Sequence, residues 1–356
     1  MAKKILIVDD SALVRKQLTE MISTLDFEID TAKNGQEAVD KATAEQFNVI
    51  TMDINMPVMD GIEAVKQIMQ KQPTAILMVS SLTTDDASIT MNALDLGAID
   101  YIAKPGTMNV GKNENREDIL TKIQSLSRIP ARRLKRYSTK PQTRERHRRT
   151  KVVTEDTVGS RLTSKDISKV VLIGSSTGGP GLIEQICSSL PSDYKYPVCI
   201  VQHMPAQFTK SFAERLDRVS ALTVQETVHN MELIPGNIYI ARGGVHLNFA
   251  KKVSGKIVFR EDKNKGENFF QPSVNDMMFS ALDVFDAQNL IGVILTGIGD
   301  DGANAMVKLK NEGAYTLGES EESATVYGMP KEAYDRGGVM EQLDFKQILK
   351  KIVTLR

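Results

Sequence analysis

Within the first 105 residues, short apolar runs end repeatedly in polar side chains. KILIVDD closes on Asp9 and Asp10, VITMD on Asp53, AILMVSS on Ser80, and IDYIAK on Lys104 before Pro105. Runs of this length are buried strands, and the stretches between them carry helical spacing. Strands are expected at residues 4–8, 28–31, 49–52, 75–79 and 100–103, with helices such as 11–24 and 35–44 between them. Ser11 is a candidate N-cap, and Asp60 should cap the helix at 61–70. Few folds accommodate five consecutive βα units. They require a doubly wound α/β fold, a parallel sheet of five strands.

In such a sheet the carboxyl ends of the strands lie along one edge, where ligands bind. Asp9, Asp10 and Asp53 would meet there and repel one another unless a cation sits among them. Mg²⁺ suits a site with few protein oxygens and open positions for phosphate. Asp9 and Asp10 would hold it directly or through water, and the Asn55 carbonyl would be a further ligand. Asp53 precedes a Pro57 turn, so its carboxylate should stand free. The expected chemistry is Mg²⁺-dependent phosphoryl transfer onto that carboxylate. Lys104 would pair with the phosphoryl oxygens, the Ser80 hydroxyl would turn toward them, and Tyr101 would change rotamer in response. An acyl phosphate brings roughly two negative charges, enough to draw a hydroxyl inward.

Beyond residue 128 the alternation stops. Residues 129–151 hold ten Lys or Arg against one Glu, and 129–168 reads as a solvated basic linker. A flexible tether is the plain reading; contact with an acidic partner or with nucleic acid are the alternatives. No aromatic interleaving, zinc-ligand spacing or helix-turn-helix pattern supports nucleic acid, and the formal net charge is +0. Cys187 and Cys199 lack CxxC spacing and read as buried apolar residues. No apolar stretch is long enough to span a membrane, and the start of the chain is too short and acidic for a signal peptide. A cytoplasmic location is expected.

A second α/β domain opens at residue 169 with KVVLIG and runs to 356. Its further strands are expected at 197–201, 238–241, 256–260 and 290–295, and its helices at 181–190, 207–219, 274–284, 303–312 and 345–353. GSSTG, residues 174–178, fits GxSxG, where a tight strand-to-helix turn exposes the middle serine, Ser176. The same glycine density would also cradle a nucleotide phosphate. His203 follows the strand PVCIVQ, and Asp300 and Asp301 follow LIGVILTG. A nucleophile, an imidazole and an acid, each past a strand of one parallel sheet, can converge. His203 would then take the Ser176 proton, and Asp301 would fix its tautomer. His147 lies in the linker, His229 beside a turn, and His246 suits core packing better than the cleft. The chain order Ser, His, Asp differs from that of α/β-hydrolases.

The motifs IVDD, MDINMPVMDG, MVSS and AKP resemble those of response-regulator receiver domains. The resemblance implies a phosphoacceptor Asp53, a histidine kinase as donor, and a switch through Ser80 and Tyr101. The strings GSSTGGP, VQHMPAQFTKSFAERLD, GNIYIARGGVHL, LTGIGDDGA and YGMPKEA resemble the catalytic domain of the chemotaxis protein-glutamate methylesterases. That likeness implies a triad of Ser176, His203 and Asp301 and an oxyanion donor at the Ile298 N–H. It also implies hydrolysis of glutamate methyl esters on membrane chemoreceptors, with deamidation of receptor glutamines and no cofactor for the ester step. The receiver is expected to restrain the esterase until Asp53 is phosphorylated. Arg242 stands where the family pattern has proline.

Overall fold

The computed structural model describes residues 3–81, 84–105, 112–130, 132–134, 163–266 and 270–355. The chain divides into two compact units, Met1–Arg144 and Glu145–Arg356. His147 and most of the basic stretch lie outside the described residues.

The first unit alternates β1 (Lys3–Val8), α1 (Ala12–Ile22), β2 (Phe27–Ala32), α2 (Gly35–Ala44), β3 (Val49–Asp53), α3 (Gly61–Lys71), β4 (Ala75–Ser80), α4 (Thr84–Asp95), β5 (Asp100–Ala103) and α5 (Lys112–Leu126). Every strand pairing is parallel, in the order β2-β1-β3-β4-β5. Side-chain caps start the helices as expected: Ser11 accepts from the Val14 amide and Asp60 from the Glu63 amide. Ile5, Ile7, Val49, Leu77 and Val79 form a buried layer packed against Leu18, Ile22, Ile119 and Ile123. Leu134 joins that core and Ile129 packs beside it, so part of the stretch read as linker belongs to this unit.

The second unit contains β6 (Val170–Ser175), α6 (Pro180–Ser189), β7 (Val198–Gln202), α7 (Ala206–Val219), β8 (Thr223–Glu226), β9 (Asn237–Ile240), β10 (His246–Lys251), β11 (Ile257–Asp262) and α8 (Val274–Leu282). It continues through β12 (Leu290–Ile294), α9 (Ala303–Asn311), β13 (Tyr315–Glu319), α10 (Met329–Asp335), β14 (Glu341–Leu343) and α11 (Phe345–Val353). Seven strands make one parallel sheet, β14-β13-β12-β6-β7-β9-β8. The strand expected at 256–260 is instead half of an antiparallel ribbon with β10. Sequence patterning does not reveal β8, β10, β13 or β14; β8 and β14 are short strands at the two edges of the sheet, where burial on both faces is not required. Before β6, Ser164 is buried: its hydroxyl donates to Glu232 Oε1 at 3.0 Å and accepts the Ile257 amide at 2.9 Å. The body of this unit therefore begins ahead of residue 169.

Candidate functional site

Two sites form, one on each sheet. In the first unit β1 and β3 are neighbours on either side of the point where strand order reverses. Asp9 and Asp10 follow the first and Asp53 ends the second, the usual ligand position of such sheets. The three carboxylates each place an oxygen within 4.8 Å of the others. Lys104 Nζ lies 2.8 Å from Asp53 Oδ2 and 3.3 Å from Asp9 Oδ2. Asp53 Oδ1 accepts the Ile54 amide at 2.7 Å, and Asp9 Oδ1 accepts the Ser11 amide at 2.9 Å. Burial pushes the Asp53 carboxyl up to about 6; Lys104 opposes the rise and the charge on Asp9 adds to it. Burial also raises Asp9.

One ammonium facing three carboxylates leaves this edge short of positive charge. An all-oxygen cluster of that kind fits a hard divalent cation such as Mg²⁺. Ser80 is fully buried, and its carbonyl accepts the Lys104 amide at 2.8 Å. Asn55 is exposed in the turn after Asp53. Tyr101 is buried on β5, where burial holds its hydroxyl protonated well past the usual range. Lys122 donates to the Tyr101 carbonyl at 2.9 Å.

In the second unit, β12, β6 and β7 lie side by side. Ser176 directly follows β6, His203 directly follows β7, and Asp301 lies past the loop after β12. Backbone bonds tie these ends together: the Ser176 amide donates to the Thr296 carbonyl and the His203 amide to the Ser175 carbonyl, each at 3.0 Å. The serine turn closes with the Gly179 amide on the Ser176 carbonyl at 2.8 Å, through Gly178 at φ +80°. A side chain is strained at that φ, so glycine serves the turn.

His203 Nε2 lies 2.8 Å from Asp301 Oδ2. The other ring nitrogen, Nδ1, is buried and has no hydrogen-bond partner among the described residues. No bond therefore joins the Ser176 hydroxyl to His203 here. With Asp301 ionised, the neutral ring carries its proton on Nε2 and leaves Nδ1 as the acceptor. The commoner triad arrangement uses these nitrogens the other way round. Burial would raise the Asp301 carboxyl, but the His203 bond and the Asn275 and Val274 amides hold it below the usual range. Those amides donate to Asp301 at 2.9 and 2.6 Å from the first turn of α8, where the helix dipole favours an anion.

Gly297 packs against the serine so tightly that a Cβ there would sit 2.9 Å from Ser176 Cβ and 2.2 Å from Met329 Sδ. Residues 297–298 are thereby held beside Ser176. The half-buried Ile298 keeps an amide that no backbone carbonyl accepts among the described residues.

Several residues at this site escape sequence reasoning. Gln202 is buried; its amide donates to the Ser176 carbonyl at 2.9 Å and accepts the Ser175 hydroxyl at 2.8 Å. Nothing in the sequence marks it. The Ser273 hydroxyl donates to Asp301 Oδ1 at 2.9 Å and caps α8 by accepting the Asp276 amide. Here a signal existed, since serine three residues before an acid ahead of an apolar run announces a helix start. Phe270 stacks on the His203 ring. His246 is buried, 3.0 Å from Asp276 Oδ2, and accepts the Ser273 amide at 3.2 Å, one layer behind Asp301. His229 is exposed beside Arg260, and the exposed Arg242 lies 3.8 Å from Glu261. Cys187 and Cys199 are free and buried. No helix among the described residues is long and apolar enough to cross a membrane.

Comparison with known proteins covers both units. The family described as CheB methylesterase matches residues 171–352, and the response regulator receiver domain matches residues 5–114. A protein-glutamate methylesterase/protein-glutamine glutaminase of Carboxydothermus hydrogenoformans is 44% identical over 99% of this chain and 98% of its own. The protein of that name from Thermotoga maritima is 39% identical over 99% and 98%. The crystal structure of the Thermotoga maritima CheB methylesterase catalytic domain superposes with a TM-score of 0.51 at 39% identity, covering 53% of this chain and 99% of that one.

Proposed function

The chain belongs to the CheB methylesterase family, with a response-regulator receiver domain ahead of the esterase, and from that premise we propose how its two sites work. It is a protein-glutamate methylesterase/protein-glutamine glutaminase of chemotaxis adaptation. The observation that carries the residue assignment is the His203–Asp301 pair, 2.8 Å apart, on a strand end adjoining that of Ser176.

Ser176 Oγ attacks the carbonyl of a glutamate methyl ester on a chemoreceptor while His203 Nδ1 takes its proton. The oxygen that gains charge is met by the Ile298 N–H, a donor worth about 2.7–4 kcal/mol in such sites. His203 returns the proton to the methoxide, methanol leaves, and an acyl-enzyme remains. Water, deprotonated by the same imidazole, then releases glutamate and Ser176. On a receptor glutamine the leaving group is ammonia. Asp301 stays ionised throughout and stabilises the imidazolium.

At the other site, Asp53 accepts a phosphoryl group from a chemotaxis histidine kinase. Asp9, Asp10, Asp53 and the Asn55 carbonyl would hold Mg²⁺, which offsets negative charge on the phosphoryl oxygens when bound. Lys104 pairs with those oxygens, and Ser80 and Tyr101 carry the change outward. Phosphorylation relieves a restraint on the esterase, shifting a population without altering the triad. The receiver runs to residue 134, where Leu134 closes its core, the esterase begins ahead of residue 169 at the buried Ser164, and the basic stretch between them serves as a linker. The protein acts in the cytoplasm without nucleic acid or membrane insertion. Methanol release from methylated receptor membranes tests the assignment. Ser176→Ala should abolish it, and unchanged release would remove Ser176 from the mechanism.

A further inference from the structure

The His203 imidazole is held at one edge and covered on one face. Asp301 takes the edge through Nε2, and the Phe270 ring lies over the face with centroids 3.9 Å apart and planes 14° from parallel. A ring anchored by a single hydrogen bond can still pivot about that bond; a phenyl plane against it removes that freedom. Stacking also discriminates between charge states. The negative face of a phenyl ring attracts a cation more strongly than a neutral ring, and the more so where water is excluded. His203 is in such a place, its side chain only 4% exposed.

We propose that Phe270 is a positioning residue of the esterase that acts through His203, fixing the imidazole plane with Nδ1 available to Ser176 and stabilising the imidazolium formed when Ser176 loses its proton. This rests on the reading of His203 as the base.

The other groups around His203 do not supply this effect. Asp301 is the anion in direct contact, bound in turn by Ser273 and by the α8 amides. The His246–Asp276 pair lies behind Ser273. Asp300 is paired with Arg336 at 2.6 Å, and Arg336 also meets Glu332 at 3.1 Å. Glu267 lies outside the described residues. All of these remain in place when Phe270 alone is changed, so the difference between variants isolates the phenyl face.

The test is an imidazole NMR titration of the full-length protein beside its methanol-release kinetics. There are four histidines, and the His203 resonance is the one missing from His203→Gln. Phe270→Leu keeps the bulk and removes the π face. The His203 pKa should fall by about half a unit or more, and the acid limb of kcat/KM should move to lower pH with it. At the plateau, kcat should drop about three- to tenfold with KM little changed. Phe270→Tyr should restore both. Phe270→Met serves as a second aliphatic variant if the leucine disturbs folding. An unchanged His203 pKa in the aliphatic variants overturns the proposal, as does a fall of equal size in the tyrosine variant. Failure of the esterase reading looks different: the wild-type protein would release no methanol, while the titration would still report on the Phe270 contact.

Discussion

The two units use one architecture for opposite electrostatic ends. Each is a parallel sheet that brings polar groups to the carboxyl ends of adjacent strands. The first unit collects like charges: Asp9, Asp10 and Asp53 crowd within 4.8 Å, with Lys104 between two of them. Burial drives Asp53 up to about 6, and on the proposed reading this edge is completed only when a cation and a phosphoryl group arrive. The second unit collects complementary groups. Asp301 is buried as well, yet its carboxyl is held down by donors from His203, Ser273 and the first turn of α8. An input site gains from being incomplete, because an incoming group then changes it. An output site gains from having its acid fixed beforehand, because the donors around Asp301 then need no reorganisation during reaction.

That contrast can be tested from both sides. Ser176→Ala should lower methanol release by about 10⁴-fold or more while Asp53 still takes phosphate from a small phosphodonor. Loss of phosphorylation in that variant would mean that the receiver chemistry depends on the esterase serine. Asp53→Asn should keep basal release and lose all stimulation by the phosphodonor. Chelation with EDTA should do the same to the wild-type protein if, as in the proposed mechanism, the ester step uses no metal.

Ser273→Ala removes one donor from Asp301 and should cost about tenfold in kcat; a smaller loss than for Asp53→Asn in stimulated activity is expected at saturating phosphodonor. The smallest effect concerns acid stability. A carboxyl whose folded pKa is depressed contributes stability that is present above its unfolded value, about 3.9. That contribution fades as pH falls through the lower folded value. Asp301→Asn should therefore flatten the loss of stability with pH below about pH 4, measured by urea denaturation across that range. An unaltered slope would mean that His203 and the α8 amides do not favour the charged form.

Much of both sites is legible before folding because strand-end residues are addressed by local pattern. An apolar run that stops at Asp53, or at Ser176 within a glycine-dense turn, names both the strand and the residue at its mouth. The pairing partners are less readable. The stretch at 256–260 has a strand pattern, but whether it joins a parallel sheet or pairs with Phe249 and Ala250 in a ribbon depends on tertiary packing rather than on its own residues. Ser273 was readable as a helix cap, though not as a donor to Asp301, since the helix start and the acid are 28 positions apart.

Chain pattern alone thus pointed to two α/β units, to an acidic edge with Lys104, and to Ser176, His203 and the Asp300–Asp301 pair as candidate groups for chemistry. Tertiary packing decided how those groups are used: which imidazole nitrogen faces Asp301, which ring covers His203, and which amides keep Asp301 charged. The reason is one of range. Periodicity and turn chemistry act over a few residues, whereas a hydrogen bond or a stacked ring is set by atoms brought together from distant strands and helices.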